Sequence, residues 1–260
     1  MPTIPRLYVD NPLSEGAVLA LGEEAANYLS RVLRLGIGGE ARLFNGRDGE
    51  WLARIEAVGS RRIDLLLAQQ TRAQPQGGGP GVTLLFAPVK KDETDLIVEK
   101  ATELGAGAIW PVLTERTQTR TVRLDRFRKI ALEAAEQTER LDLPEVAEVQ
   151  ALPRALEALG PGTALIYCDE AGDEAGDKSG AAWGGASGRA GPMLEVLQGL
   201  KGRDAAILVG PEGGFTPFER AGLRGRKDTF PVSLGPRILR AETAVVAALS
   251  LWQAVCGDWG

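Results

Sequence analysis

Residues 73–81 (AQPQGGGPG) interrupt the chain. Proline removes a backbone donor and glycine favours neither regular conformation, so no helix or strand runs through such a stretch. The sequence has one rhythm before it and another after it. Short runs separated by tight-turn signals give way to apolar runs alternating with longer helical patterns. The chain is therefore expected to build two units, residues 1–72 and 82–260, joined by the linker 73–81.

The first 72 residues read as strands with one helix. Arg6–Asp10 is a short strand. Glu23–Leu35 carries Ala26, Leu29, Val32 and Leu33 at helical spacing. Glu40–Asn45, Trp51–Val58 and Arg61–Gln69 read as strands, the first two joined through Gly46-Arg47-Asp48-Gly49, where Asp-Gly signals a hairpin. Short strands with tight turns point to a small barrel.

From Val82 the pattern alternates. Val82–Val89 is an apolar strand and Asp92–Leu104 a helix stopping at Gly105. Ala108–Leu113 is a strand and Leu124–Arg140 a long helix. Ala164–Cys168, Ala205–Val209 and Phe230–Ser233 are further strands. Thr243–Val255 is apolar nearly all round, so it belongs in the core or against a partner. Such alternation specifies an α/β unit with a mostly parallel sheet covered on both faces. Residues 171–191 (AGDEAGDKSGAAWGGASGRAG) carry almost no core former except Trp183 and read as a flexible insertion.

The residue inventory narrows the chemistry. There is no histidine, which removes histidine-based triads, histidine metal ligands and a histidine base. Cys168 and Cys256 lie too far apart in sequence to suggest a disulfide scaffold or zinc cluster, and no metal site is expected. No apolar run approaches the roughly 18 residues that span a bilayer. MPTIPRLYVD lacks the regions of a signal peptide, so a cytoplasmic, membrane-free location is the expectation. Net charge is −5, and residues 1–72 balance nine basic against nine acidic side chains. A polyanion would have to be held by local patches, with Arg31, Arg34, Arg42, Arg47 and Arg54 as candidates.

Four segments carry candidate chemistry. In ILVGPEGGFTPFE (207–219) a strand runs into Gly210-Pro211-Glu212-Gly213-Gly214, and a helix opens at Thr216-Pro217 with Glu219 completing a capping box. Glycines there let backbone amides approach a ligand, at the position where open α/β sheets bind one. The loop is neither a Walker loop nor a dinucleotide fingerprint, and a plain tight turn is the competing reading. In VSLGPRILRAETAVVAAL (232–249) Arg237 and Arg240 precede a helix whose dipole disfavours cations there, which an anionic RNA backbone would explain. In residues 90–120, Glu99 and Glu103 share a helix face and read as a solvated ion-pair surface, while Arg116 and Arg120 follow a strand as candidate RNA contacts. In EAAEQTER (133–140), Glu136, Gln137 and Arg140 close a helix.

KATELG (100–105), TERTQTR (114–120), EAAEQTER (133–140), GPEGGF (210–215) and LGPRILRAETA (234–244) together resemble, in order, the RsmE family of 16S ribosomal RNA (uracil-N3) methyltransferases of the SPOUT superfamily. The resemblance spans about two-thirds of the chain, and the GPEGG and LGPR-x-LR-x-ET pair is its specific part. It implies a C-terminal domain with a deep trefoil knot, a rare exception to un-knotted topology, behind a small PUA-like β-barrel that seats RNA. It implies S-adenosylmethionine as cofactor, a homodimer, and 16S rRNA within the 30S subunit as partner. Gly210, Pro211, Glu212, Gly213 and Gly214 would line the cofactor loop. Leu234, Gly235 and Pro236 would form a second wall, with Ile238 and Leu239 near the adenine and Thr243 close by. Arg237, Arg240, Glu212 and Glu242 would serve the reaction, and Arg31, Arg34, Arg116, Arg120 and Arg140 the RNA. The chain departs from the family at Thr138-Glu139-Arg140, where a small residue more often precedes the arginine, and in the long insertion at 171–191, beside a strand end, Cys168-Asp169-Glu170, that the resemblance implies should approach the cofactor.

The implied reaction would put an arginine, Arg237 or Arg240, on the developing uracil anion and a carboxylate, Glu212 or Glu242, on the N3 proton. Ribose 2′-O methylation is the nearest alternative. A non-catalytic RNA-binding assembly factor is another, against which the intact glycine motifs stand. A nucleotide-dependent oxidoreductase lacks its fingerprint.

Overall fold

The computed structural model describes residues 4–75, 81–169 and 190–259. The insertion read at 171–191 lies outside these except for its last two residues. Among the described residues no helix is long and apolar enough to cross a membrane. The chain divides into two compact units, Met1–Gly77 with Ala135–Leu143, and Gly78–Ala134 with Pro144–Gly260.

The first unit holds β1 (Arg6–Tyr8), β2 (Val18–Leu21), β3 (Glu40–Phe44), β4 (Glu50–Val58) and β5 (Ile63–Arg72). They form a five-stranded sheet in the order β1-β3-β4-β5-β2. β1 pairs parallel to β3, and the other pairs are antiparallel. The β3–β4 turn is set by Asn45, whose Oδ1 accepts the amides of Arg47 and Asp48, and by Asp48, which accepts the Leu13 amide. Alternate residues Ala41, Leu43, Ala53, Ile55, Ile63, Leu65 and Leu67 face one core, as period-two patterning requires.

The helix expected over Glu23–Leu35 departs from its pattern. α1 (Glu23–Ala26) passes directly into a π-helical stretch, Asn27–Val32. The Ser30 hydroxyl donates to the Ala26 carbonyl at 2.5 Å, competing with the helical ladder as mid-helix serines do. The wider turn breaks the apolar phase. Ala26 and Leu29 are buried, whereas Val32 is 62% and Leu33 38% exposed.

Residues 135–143 belong to this unit through Arg6. Its Nη1 donates to the carbonyls of Ala135 and Glu136 at 2.9 and 3.0 Å. Its Nη2 donates to that of Arg140 at 2.8 Å. A guanidinium on terminal helix carbonyls satisfies orphan acceptors and the dipole together. Arg6 is itself held by buried Glu50, Nε to Oε2 at 2.6 Å, and Thr71 donates to the other carboxylate oxygen. The family departure at Glu139 has a local account. Glu139 takes φ +60°, a conformation that costs a side-chain-bearing residue about 1–2 kcal/mol, and Arg72 fastens both its carboxylate and its carbonyl.

The second unit alternates as the sequence does. In order it comprises β6 (Val82–Phe86), α2 (Lys91–Glu103), β7 (Ala108–Leu113), α3 (Leu124–Gln137, whose end lies in the first unit), β8 (Glu145–Val146) and β9 (Gln150–Ala151). There follow α4 (Leu152–Ala158), β10 (Ala164–Cys168), β11 (Gly191–Pro192), α5 (Met193–Gln198), β12 (Ala205–Val209), α6 (Pro217–Gly225), β13 (Thr229–Ser233) and α7 (Ala241–Val255). The sheet runs β11-β13-β10-β12-β6-β7-β8, with every pairing parallel. Leu84, Ile166 and Ile207 pack on one face, and Leu85, Leu165 and Leu208 on the other. A parallel sheet covered on both sides is the expected arrangement. α7 buries Ala244, Val245, Ala248, Leu249 and Trp252 in the first of these cores.

Glu50 yields a prediction. Burial pushes its carboxyl up, but the hydrogen bonds from Arg6 and Thr71 and the arginine charges outweigh this and hold it below its ordinary value. A depressed native value means that this stabilisation is complete above the unfolded-state value, about 4.3, and fades as pH falls through the native one. Arg6→Met leaves Glu50 buried without its partner and should cost the first unit about 3–5 kcal/mol, read from hydrogen exchange of β3 and β4 in a urea series. Glu50→Gln should show a shallower loss of protection below about pH 4 than the parent.

Candidate active site

Three neighbouring strands of the second unit, β12, β10 and β13, end at one edge. Their register pairs Tyr167 with Leu208 and Cys168 with Val232, and the Asp169 amide extends the ladder to the Val232 carbonyl at 3.0 Å. The loops leaving these ends enclose a cleft of about 360 Å³, within the range of small-molecule sites. Gly210–Gly214 and Phe215 form one side, Ile238–Arg240 with Ala241 and Ala244 the other, and Cys168, Asp169 and Arg220 complete the lining.

The glycine loop is shaped by its neighbours. Phe215 is buried and stands edge-on to Tyr167, with ring centroids 5.9 Å apart. A Cβ at Gly210 would lie 3.1 Å from the Phe215 ring, closer than a side chain normally tolerates. Gly214 closes a turn onto the Pro211 carbonyl at 2.8 Å with φ +64°, a conformation glycine adopts freely. Thr216 and Glu219 make the expected capping box. Glu219 has a second task, since its Oε1 accepts the Glu115 amide at 2.8 Å. Arg116 Nη1 donates to the Gly213 carbonyl at 2.8 Å. The TERTQTR segment is thus fastened once to the glycine loop and once to the first turn of α6.

A polar cluster lies beside this cleft. Asp169, 3% exposed, accepts the Tyr167 hydroxyl at 2.9 Å and Arg224 Nη2 at 2.9 Å on Oδ2. Arg224 Nε also donates to the Tyr167 oxygen at 3.0 Å. Arg220 Nε stands 3.2 Å from Oδ1 as an ion pair. Burial, the Asp169 charge and the hydrogen bond given to Asp169 outweigh Arg224 and push the Tyr167 phenol up to about 12. Tyr167 therefore remains a protonated donor at neutral pH.

Of the residues read from sequence, Gly210, Pro211, Glu212, Gly213, Gly214, Ile238, Leu239 and Arg240 line this cleft. Leu234, Gly235 and Pro236 instead line a separate apolar hollow of about 280 Å³ with Met193 and Leu251. Ile238, expected near an adenine, is 91% exposed at the rim, while Leu239 packs on the core. Arg237 and Thr243 are exposed and Glu242 half-buried in the same segment. Arg240 occupies the N-cap of α7, where a donor-only guanidinium cannot cap the helix amides, and is exposed. Glu99 and Glu103 are both held by Lys100, each at 2.8 Å. Arg120 is exposed, as are Arg31 and Arg34 in the first unit. The Arg140 side chain is 12% exposed and binds Asp142 at 2.7 Å. Asp169 stands at the strand end that the resemblance brings toward the cofactor, but its grouping with Arg220 and Arg224 was not read. Their signal was two arginines four apart on a helix, facing a Tyr-x-Asp pair two apart on a strand.

The lining suits a nucleoside-sized ligand bearing both an apolar ring and polar groups. Leu239 and Ala244 offer apolar contact, the glycine turn offers main chain, and Asp169 offers a buried acceptor. A family model described as an RNA methyltransferase domain matches residues 79–253. A second, described as an RNA methyltransferase PUA domain, matches residues 21–67. Ribosomal RNA small subunit methyltransferase E of Rickettsia conorii is 33% identical over 246 residues, covering 94% of this chain and 93% of that protein. The structure of ribosomal RNA small subunit methyltransferase E from Neisseria gonorrhoeae, bound to S-adenosyl methionine, superposes with TM-score 0.78 at 27% identity. It covers 99% of this chain and 100% of that one. A Legionella pneumophila methyltransferase in complex with the cofactor SAM gives TM-score 0.79 at 27% identity, over 98% and 99% of the two chains. The chain belongs to the family of RNA methyltransferases that includes ribosomal RNA small subunit methyltransferase E. The resemblance read from the five sequence segments is borne out, as is the α/β fold with a PUA-like first unit.

Gly210→Ala tests the loop geometry. Overpacking against Phe215 should cost about 1–3 kcal/mol, seen as a roughly 5- to 100-fold weaker calorimetric affinity for S-adenosylhomocysteine. Phe215→Leu in the same chain should recover most of it.

Proposed function

We propose that this chain transfers the methyl group of S-adenosylmethionine to N3 of a uridine in 16S ribosomal RNA, acting as a cytoplasmic homodimer on the 30S subunit. The observation that carries the proposal is the cleft at three adjacent strand ends, walled by the two motifs that bear the resemblance. Residues 1–72 are taken as the RNA-seating barrel, 73–81 as the linker and 82–260 as the methyltransferase domain, its C-terminal part threaded as a deep trefoil knot.

When bound, S-adenosylmethionine supplies a methyl group already activated on a sulfonium, so the chain's part is placement and charge. Main-chain groups of Gly210–Gly214 and of Leu234–Pro236, with Ile238, Leu239 and Thr243, are proposed to hold it. Uracil N3 is a weak nucleophile until it loses its proton. Glu212, on the cleft, is the proposed acceptor, with Glu242 in reserve, directly or through a water. Arg240, also on the cleft, and Arg237 beside it stabilise the charge that develops on the uracil oxygens. Arg31, Arg34, Arg116 and Arg120 are proposed to hold the RNA backbone. Arg140 supports its loop through Asp142. The target base leaves its stack to reach the site.

Small subunits lacking their natural methylation, incubated with the protein and radiolabelled S-adenosylmethionine, should yield label in 3-methyluridine after digestion to nucleosides. Label in a 2′-O-methylated nucleoside would overturn the chemistry. Absence of both label and cofactor binding would favour a non-catalytic assembly factor. Arg240→Ala should lower kcat by about 10²–10³, the scale of a lost transition-state donor. Unchanged turnover in the Glu212→Gln, Glu242→Gln double variant would remove both carboxylates from proton transfer.

A further inference from the structure

Asp169 lines the cleft yet has no part in the reaction above. Its carboxylate is divided. Oδ2 takes two donors, Tyr167 and Arg224. Oδ1 is buried, and among the described residues no donor reaches it with hydrogen-bonding geometry. Arg220 stands 3.2 Å away as a charge partner only. The Asp169 backbone is fixed as well, its amide donating to the Val232 carbonyl at 3.0 Å. A buried carboxylate oxygen with spare acceptor capacity at a cleft is costly unless a ligand completes it.

The surroundings select the donor. With Arg220 and Arg224 both beside it, the carboxylate is already compensated, and an ammonium brought there would meet two guanidiniums. A neutral donor suits the position. The apolar contacts that a purine ring needs come from Leu239 and Ala244 on the α7 side of the cleft, so the strand end is left for the sugar. We infer that Asp169 Oδ1 accepts a hydrogen bond from a ribose hydroxyl of bound S-adenosylmethionine, with Arg224, Tyr167 and Arg220 as the residues that position it. A carboxylate at a strand end reading a ribose hydroxyl is a solution other nucleotide-binding α/β sheets use. The inference rests on the proposed cofactor and deepens it.

The test compares ligands as well as variants. S-adenosylhomocysteine, its 2′-deoxy and 3′-deoxyribose analogues and its 6-deamino analogue are titrated calorimetrically into the full chain. The parent should bind one deoxy analogue about 10- to 100-fold more weakly than S-adenosylhomocysteine, the scale of a hydrogen bond to a charged acceptor. In Asp169→Asn the amide oxygen must face Arg224 and Tyr167, which only donate there. The amide nitrogen then replaces Oδ1, so the charged acceptor is lost and the hydroxyl can at most accept a weaker, neutral bond beside Arg220. That variant should lose affinity for S-adenosylhomocysteine and bind the two ligands within about threefold of each other. A merely structural role would weaken all ligands alike and keep the parent's ratio, which would overturn the inference. So would a parent that ignores both ribose hydroxyls and discriminates only the 6-amino group, a result that needs no variant to fold. A parent that binds no S-adenosylhomocysteine would instead sink the cofactor reading itself.

Discussion

The parallel register of β13, β10 and β12 is the constraint on which the site depends. Each strand ends where its neighbours end, so the turns after Val209, Cys168 and Ser233 open on one edge of the sheet. In an open α/β sheet that edge is where main-chain groups are free of ladder partners and helix N-termini gather. Burial on both faces makes the register hard to shift. A slip of one residue would exchange Leu165 and Tyr167 with Ile166 and Cys168 between two packed cores. Packing that has no chemistry of its own thereby fixes where the chemistry stands.

Much of this was legible because it obeys local rules. Val82–Phe86, Ala164–Cys168 and Ala205–Val209 are apolar runs of strand length, and Thr216-Pro217-x-Glu219 announces a helix start in its own side chains. Local rules misled at Asn27–Val32. There a serine hydroxyl and a π turn rotate Val32 and Leu33 out of the apolar face that periodicity assigned them. They were silent about Glu219, whose capping role was plain but whose bond to the Glu115 amide joins residues 104 apart. The Arg220–Asp169 pairing is of the same kind, because a contact between helix and strand leaves no periodic trace in either.

EAAEQTER shows how one motif can carry structure where chemistry was sought. Its carbonyls at Ala135, Glu136 and Arg140 are taken by the Arg6 guanidinium. The Glu136 carboxylate accepts the Tyr8 amide at 3.0 Å. The end of this segment, residues 135–143, is thus tied by its carbonyls and by Glu136 to Arg6 and Tyr8 within the first unit. Buried pairs of this type, Arg6 with Glu50, contribute little net stability when intact but are expensive to break, so both partners are held in place by the cost of losing either.

The same electrostatic economy governs the cleft. A chain without histidine has no side chain whose ordinary titration falls near neutrality. In its polar cluster Asp169 takes the Tyr167 hydroxyl and Arg224 on one oxygen and has Arg220 beside the other. The Tyr167 phenol, pushed up to about 12, remains a donor near neutrality. The bond that Tyr167 gives to Asp169 is then not lost to titration of the phenol near neutrality. That constancy matters for a reaction whose catalyst contributes mainly placement. Methyl transfer needs the nucleophile in line with the bond it breaks, and small misplacements cost large factors in rate. A cleft whose loops are pinned by Phe215 and Arg116 and whose Asp169 is held by Tyr167 and Arg224 can meet that demand with main-chain groups, arginines and carboxylates.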